Sequence, residues 1–520
     1  MSGPPERLRT DPPGVRRAAH LLRRGGVVAF PTDTVYGLAA LADDPPARRR
    51  IYDVKRRPAS LPLIVMAPEL DALDGLVRID ERARRLADRW WPGPLTLVLP
   101  TPGGDPPTLG VRIPDHPAAL ALLRAAGRPL ATTSANLSGE PAAVTADDAA
   151  RLPGLAAVLD DGPAPGGRAS TVLSLCGPDP EVLREGPISR EDLLLPELAS
   201  RVAQFAAEAE GESPLYATIA GGIARRPDVL ALLLGAQPGQ RRANLLLAAV
   251  HALLLAGAEH SLPRWYPSVG GTEAPSPAAV DAFADFALTH QDEVRALVAT
   301  RRTQTNEVGR SAALALALGR LAGPIALLDA GCSAGLNLLV DQYRYDYGVA
   351  ALGPAGAELT IHCELRGDGA QVPPALPAVI WRAGLDASPL DPADPEAARW
   401  LQALVWPDDR MRRERLLAAL ATARRVPLLL QRGDLMDDLP ALAQRAPAGA
   451  ALVIQHSAVT AYLSESYRHR FRERCRELGA HEISLEPPPG AGWPYSVLEL
   501  DGEALAEADG HNAWIRWTAG

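Results

Sequence analysis

Lys55 is the single lysine of a 520-residue chain whose other 52 cationic residues are all arginine. The lysine ammonium is a compact point charge, whereas guanidinium is a wide planar fork. A chain so biased toward arginine that still keeps one lysine marks a place the fork does not fit. The residue stands in Lys55-Arg56-Arg57-Pro58, directly after Ile51-Tyr52 and two residues on. On an extended segment Lys55 and Arg57 would face the same way. Two further segments carry hydrogen bonders. Phe30-Pro31-Thr32-Asp33-Thr34-Val35-Tyr36-Gly37-Leu38 reads as a strand end followed by hydroxyls and a glycine. Ala131-Thr132-Thr133-Ser134-Ala135-Asn136-Leu137-Ser138-Gly139 reads as a hydroxyl- and amide-rich turn after a strand, with Ser134 and Asn136 also in period-two spacing. Each segment alone is ordinary turn chemistry. Two cations opposite neutral hydrogen bonders suit an anionic ligand that carries both phosphate and polar groups.

The elements that must position these groups alternate over the first 190 residues. Short apolar runs bounded by Gly and Pro, at 26–30, 61–65, 95–99 and 170–173, predict strands. Between them, Asp80 to Trp90 and Pro117 to Ala126 predict helices. Ile188 to Ser200 reads as a junction, 201–320 is helical in pattern, and strand–helix alternation resumes from 324. The length is too great for one core. Hydrophobic residues at 47% with aromatics at 5% describe aliphatic α/β or α-rich cores. The four cysteines, Cys176, Cys332, Cys363 and Cys475, form no CxxC pair, so no metal site is expected and a reducing cytoplasmic setting is. No run of 18 uncharged apolar residues and no apolar leader is present, which predicts neither membrane insertion nor secretion. Residues 1–200 hold 24 Arg/Lys against 25 Asp/Glu, and 201–520 hold 29 against 37. Neither part has the basic excess of a protein that grips long nucleic acid.

The ordered blocks over about 24–190 together resemble the YrdC/Sua5 family, the threonylcarbamoyl-AMP synthases. They are Pro31-Thr32-Asp33-Thr34-Val35-Tyr36-Gly37-Leu38, Lys55 with Arg57, Trp91-Pro92-Gly93-Pro94-Leu95-Thr96, Val111-Arg112-Ile113-Pro114, Ser134 with Asn136, Arg168-Ala169-Ser170-Thr171, and Leu183 to Ile188. The lone lysine falls on the family's functional lysine. The resemblance implies an enzyme that combines L-threonine, bicarbonate and ATP, with Mg²⁺, into threonylcarbamoyl-AMP and pyrophosphate for t6A modification of tRNA. Its partners would be the tRNA threonylcarbamoyl-transferase machinery. Carried over by position, Lys55 and Arg57 would serve phosphate and carbamate. Thr32, Thr34 and Tyr36 would contact threonine or its carbamate, and Ser134 and Asn136 the nucleotide and carbamate. Arg112, Ser170 and Arg184 would contact triphosphate and ribose. One departure stands out: Leu61-Pro62-Leu63-Ile64-Val65-Met66 ends in methionine where many relatives have histidine.

In the second half, Pro324 to Asp329 reads as a buried strand feeding Ala330-Gly331-Cys332-Ser333-Ala334-Gly335 and a helix from near Leu336. Strand, glycine turn and helix N-terminus can cradle a nucleotide. The D-x-G-x-S-x-G pattern resembles the first motif of S-adenosylmethionine-dependent methyltransferases, with Asp329, Gly331, Ser333 and Gly335 as the cofactor turn. On that resemblance Leu359 to Glu364 would be the second strand, Glu364 taking the ribose hydroxyls. Pro427 to Asp434 would be the third with Asp434 on the adenine side, and Ala451 to Ser457 the fourth, with His456 near the methyl. Residues 365–426 would be an insertion. His456 reads equally as a satisfied strand-end histidine, and the polar run Gln304-Thr305-Asn306-Glu307 to Arg310 as an exposed cap or a lid. Region 201–520 also resembles an uncharacterised bacterial family, DUF2332, through Ser213 to Tyr216, Asn244 to His251, Thr303 to Arg310, Ser333 to Tyr347, Val405 to Asp408 and His511 to Trp517.

The expected organisation is an α/β chain. A YrdC-like twisted open sheet over 10–196 is followed by a helical segment over 201–320 and a Rossmann-like, methyltransferase-type sheet over 321–520. The expected function is threonylcarbamoyl-AMP synthesis fused to a module of unknown substrate that could use S-adenosylmethionine. The alternatives are a nucleotide- or RNA-binding front module, or carbamoyl transfer to another acceptor, with a non-catalytic second part.

Overall fold

The computed structural model describes residues 4–518 apart from 178, 305, 368–371, 461–462, 489–494 and 511–512. Thr305 of the polar run and His511 of the closing segment lie outside the described residues. The chain divides into two compact units, Met1–Ser200 with Ala236–Arg241, and Arg201–Gly235 with Arg242–Gly520. The helical and sheet-forming parts of the second half therefore belong to one unit. Ile188 to Ser200, read as a junction, lies mostly in a helix, Arg190–Ala209, with Ser189 accepting from the Asp192 amide at 3.1 Å.

In the first unit the strands are β1 Glu6–Arg9, β2 Val28–Phe30, β3 Gly37–Leu41, β4 Ile64–Met66 and β5 Leu95–Pro100. They continue as β6 Thr108–Arg112, β7 Leu130–Ser134, β8 Ala157–Asp160, β9 Thr171–Ser174 and β10 Glu181–Arg184. They form a 10-stranded mixed sheet in the order β1-β8-β2-β3-β7-β4-β6-β5-β9-β10. Helices start at side-chain caps. Asp11 caps α1 (Pro12–Arg23), Asp44 caps α2 (Pro45–Lys55) and Asp80 caps α3 (Glu81–Trp90), each accepting from an amide three residues on. The helix α4 (Pro117–Ala126) ends at Gly127, in the left-handed conformation that stops a helix. Strand side chains alternate, so β3 sends Ala39 and Leu41 to one face and Leu38 and Ala40 to the other. The first face packs on Val15, Ala19 and Leu22 of α1 and Leu122 and Leu123 of α4. The second packs on Ile51 and Val54 of α2, with Ala146 and Ala149 of the short helix that follows β7.

The second unit begins with helices whose faces are apolar nearly all round, such as Ala243–Leu255, and which are buried accordingly. Its strands are β11 Ile325–Ala330, β12 Arg344–Asp346, β13 Ala351–Leu352, β14 Thr360–His362, β15 Glu364–Arg366 and β16 Val379–Asp386. They continue as β17 Leu429–Arg432, β18 Ala451–Ser457, β19 His481–Glu486, β20 Tyr495–Leu500, β21 Glu503–Asp509 and β22 Trp514–Trp517. Nine of them form one sheet, β15-β22-β21-β20-β19-β18-β11-β16-β17. From β19 to β17 neighbours are parallel, and β19 to β22 run as an antiparallel meander.

Three sequence expectations change here. Leu359 to Glu364 is not one strand beside β11: β14 sits in a separate three-stranded sheet and β15 lies at the far edge of the large one. The neighbour of β11 is β16, inside the stretch read as an insertion. Its Arg382 and Gly384 obscure the apolar pattern, and Gly384 is required because a Cβ there would stand 2.5 Å from Cys332 Sγ. Finally, the turn after β11 leads into a kinked 3₁₀ segment, Leu336–Gln342, and not into an α-helix.

Candidate active site

Strand register builds a cleft on one face of the first unit. Directly opposed residues share a face. Ser134 opposes Gly37, Thr132 opposes Ala39 and Ile64, Leu130 opposes Met66, and Met66 opposes Arg112. Beyond them Thr96 opposes Val172. Helices α1 and α4 cover the Leu130 end of this face. The remainder is open and floors a cleft lined among others by Thr32, Thr34, Gly37, Arg57, Met66, Arg112, Thr132, Ser134, Ser170 and Arg184.

The cations are held by separate means. Arg112, on the inner sheet, is 2% exposed. Its Nε donates to Gly93 O at 2.9 Å, Nη1 to Thr34 Oγ1 at 3.0 Å and Nη2 to Asp33 Oδ1 at 2.6 Å. Burial depresses its pKa and the Asp33 carboxylate works against that. Arg184 donates to Ser170 O from Nε (3.1 Å) and Nη2 (2.9 Å), and to Ser170 Oγ at 3.2 Å. Burial, then the charge of Arg57, lowers the Arg184 pKa, so two guanidiniums repel across one opening. Arg57 donates to Pro62 O at 3.0 Å, which turns it along the cleft wall. Five N–H groups per guanidinium exceed these partners, leaving donors for a ligand.

The hydroxyls beside them are pre-arranged. Thr32 Oγ1 donates to Val35 O at 2.6 Å, accepts from the Thr34 and Val35 amides, and lies 3.0 Å from Thr34 Oγ1. Ser170 Oγ and Thr96 Oγ1 share a hydrogen bond of 2.8 Å.

Lys55 is placed differently from the sequence expectation. It is the last residue of α2, and Arg56 follows in the left-handed region at φ 48°, so Lys55 and Arg57 do not share an extended segment. The residue is 1% exposed and its ammonium donates to Ser134 O at 2.5 Å, Asn136 O at 2.8 Å and Asn136 Oδ1 at 2.9 Å. All three of its donors are thereby committed. Burial, and secondarily the charge of Arg57, pulls its pKa down to about 8. Lys55 thereby clamps the Ser134–Asn136 turn. Asn136 is likewise internal: Oδ1 also accepts from Ser134 Oγ at 2.6 Å, and Nδ2 donates to Leu137 O and Glu140 O. Of the pair, only Ser134 lines the cleft. Tyr36 is also redirected, because its buried hydroxyl donates to Gly162 O at 2.6 Å and fixes the loop after β8. Sequence reasoning passed over Asp33, Thr96 and Thr132. Asp33 could have been found, since it sits between the two singled-out threonines; strand-interior hydroxyls give no such mark.

The residues expected to cradle a cofactor in the second unit do not form a free cradle. A Cβ on Gly331 (φ 79°) would stand 2.3 Å from Val459 Cγ2, and one on Gly335 (φ 69°) 2.8 Å from Leu430 Cδ2. Side chains of the protein thus already fill the approach that glycine would leave to a ligand. The Ser333 amide donates to Asp386 Oδ2 at 2.8 Å and its hydroxyl accepts from Asn306 Nδ2 at 2.8 Å. Asn306 and Glu307 thus pack inward, the latter paired with Arg412 and Arg415, and do not form an exposed cap. Asp329 is buried, and burial with the Asp386 charge raises its pKa to about 7. Glu364 is exposed on the edge strand and bonds Arg366. Asp434 is exposed, capping the Met436 and Asp437 amides. His456 has both ring nitrogens engaged, Nδ1 with Glu486 at 2.8 Å and Nε2 with Glu482 at 3.2 Å. The expected set is not gathered as the sequence suggested: Glu364 lies on the sheet edge, the acid that ends the strand beside β11 is Asp386 of β16, and the glycine turn, packed by Val459 and Leu430, leads into a 3₁₀ segment.

Comparison with known proteins agrees with this division. Residues 20–186 match the Sua5/YciO/YrdC family, described under telomere recombination, and 199–517 match DUF2332, described as an uncharacterised protein conserved in bacteria. A threonylcarbamoyl-AMP synthase of Bacillus subtilis is 44% identical over 199 residues, covering 36% of this chain and 58% of its own length. A putative threonylcarbamoyl-AMP synthase of Mycobacterium tuberculosis is 37% identical over 188 residues, 34% of this chain and 86% of its own. A solved doubly substituted Sua5 from P. abyssi is 39% identical over 36% of this chain and 62% of that one, with a TM-score of 0.35. The chain thus spans little more than half the length of the Bacillus relative. By these matches the chain belongs to the Sua5/YciO/YrdC family in its first part and to the DUF2332 family in its second.

Proposed function

We propose that the first unit is an L-threonylcarbamoyladenylate synthase. Threonine and bicarbonate would give threonine carbamate, whose oxygen attacks the α-phosphorus of ATP as pyrophosphate departs. The observation that carries this reading is the meeting of Arg57, Arg112 and Arg184 with the hydroxyls of Thr34, Ser134 and Ser170 around one cleft. Carbamate and α-phosphate are both anionic, so their approach is opposed by Coulomb repulsion. Guanidiniums fixed in advance offset that repulsion without reorganising as charge builds on phosphorus. Ser134 and the Thr32–Thr34 loop suit the small polar amino acid, and holding both reactants together supplies the orientational part of the rate. Mg²⁺ would come bound to the triphosphate. Among the described residues no cluster of three or more His, Cys, Asp or Glu side chains is placed to hold a metal, and Asp33 is engaged by Arg112. The product adenylate would pass to a tRNA threonylcarbamoyl-transferase system.

The test is threonine- and bicarbonate-dependent pyrophosphate release by the full chain, with the adenylate identified by mass. Arg184→Ala and Arg57→Ala should each lower the rate by about 10²-fold, as removal of one fixed donor to a developing charge does. Pyrophosphate release that does not depend on threonine would overturn the proposal. For the second unit the internal engagement of its strand-end polar groups supports a folded module without S-adenosylmethionine. Among the described residues no helix is long and apolar enough to cross a membrane.

A further inference from the structure

The cleft lining includes three arginines, Arg57, Arg112 and Arg184, and no carboxylate. Arg112 is paired with Asp33 at 2.6 Å. Among the described residues Arg57 donates only to Leu61 O and Pro62 O, and Arg184 only to Ser170 O and Oγ, so both keep their full charge. Two more arginines adjoin the lining without belonging to it. Arg56 is the exposed residue before Arg57, and Arg168 the exposed residue before Ala169, which lines the cleft. Arg168 donates to a backbone oxygen, Glu185 O, at 3.3 Å. Neither cation forms an ion pair among the described residues, and the exposed acids nearest in sequence, Asp53 and Glu185, meet neither. Consecutive Cα atoms are about 3.8 Å apart, so both charges stand well within the ~30 Å Debye length of dilute salt from the cleft wall. Residues 1–200 hold 24 Arg/Lys against 25 Asp/Glu, so this positive excess is local. Uncompensated charge of one sign at a cleft raises the local concentration of an oppositely charged ligand.

We infer that Arg56 and Arg168 are steering residues that draw the nucleotide into the cleft from outside its lining. The inference rests on the synthase reading above. ATP stays anionic even with Mg²⁺ bound, whereas threonine is a zwitterion without net charge, so the field acts on one substrate and not on the other. It acts through charge and not through the shape of the fork, so lysine serves equally well at both positions.

The test is pyrophosphate release by the full chain at about 0.01 M and about 1 M salt, where the Debye length falls from ~30 to ~3 Å. At low salt the double variant Arg56→Glu, Arg168→Glu should lower kcat/KM for ATP about ten-fold, with kcat and the KM for threonine unchanged. At high salt the deficit should vanish. Arg56→Gln with Arg168→Gln should fall between, and Arg56→Lys with Arg168→Lys should match wild type. No deficit, a deficit that persists at high salt, or equal losses for ATP and threonine overturns the inference and leaves the synthase reading standing. Wild-type protein without threonine-dependent release overturns both.

Discussion

Replacing Lys55 with arginine keeps the charge at that position and changes only its shape. Three oxygens, Ser134 O, Asn136 O and Asn136 Oδ1, converge on one ammonium at 2.5, 2.8 and 2.9 Å, at a site 1% exposed. A tetrahedral nitrogen meets them together; a planar fork spreads its donors and adds volume. Overpacking a filled site costs about 1–3 kcal/mol. Each charge-assisted bond left unmade costs roughly 1.5–3 kcal/mol. Loss of one such bond, with the Ser134 turn displaced, amounts to about 3 kcal/mol, which is on the order of 10²-fold if it is felt at the transition state. Adenylate formation in Lys55→Arg should therefore fall about 10- to 100-fold, mainly in kcat. Because the lysine acts through the turn, Asn136→Ala should lose a similar amount, and the double variant should be little worse than either.

The same residue gives a pH signature. Its pKa stands near 8 in the fold against an ordinary 10.5. Below pH 8 both folded and unfolded forms hold the proton, and the cost of burying the charge is fully present. Between 8 and 10.5 the unfolded chain binds more proton, so stability from this group rises with pH. Activity should move the other way, because a neutral amine keeps two N–H groups for three oxygens. A direct phosphate contact would instead multiply the two losses and place them in the KM for ATP. That outcome, or near wild-type rates in Lys55→Arg, refutes the clamp.

Two further outcomes concern the second unit. Burial opposes charge on His456, but Glu482 and Glu486 outweigh it and raise its pKa to about 9, while His456 and the Val459 and Thr460 amides hold Glu486 below its usual value. The histidine's contribution is complete below its unfolded pKa of about 6.5 and is lost as pH rises through 9. The Glu486 contribution is lost as pH falls through its own folded value. Thermal melts should therefore show the unit losing stability between pH 6.5 and 9.5, and His456→Ala should cost about 3–5 kcal/mol while flattening that dependence. A pH-independent melt would contradict it. Isothermal titration of the full chain with S-adenosylmethionine should give no binding, since Val459 and Leu430 occupy the glycine turn. Micromolar affinity that weakens in Asp386→Ala would reverse that reading.

The sequence by itself determined the cleft's cast. Ordered motifs singled out Thr32, Thr34, Arg112, Ser134, Ser170 and Arg184, which line one cleft in the fold. It also singled out Lys55 as the one lysine of the chain. Helix limits such as Asp80 to Trp90 were legible because caps and periodicity are local properties. Only the tertiary structure decided roles. The left-handed Arg56 keeps Lys55 and Arg57 off one extended segment, and the loop after β8 claims the Tyr36 hydroxyl. Pairing with β4 buries Thr132 without a partner. In the second half a glycine turn after a buried strand looked like a cradle, and β16, hidden in a polar stretch, took the place assigned to Leu359 to Glu364. The physical reason is common to these cases. A residue's type fixes which bonds it can make, but long-range packing fixes which partner reaches it first.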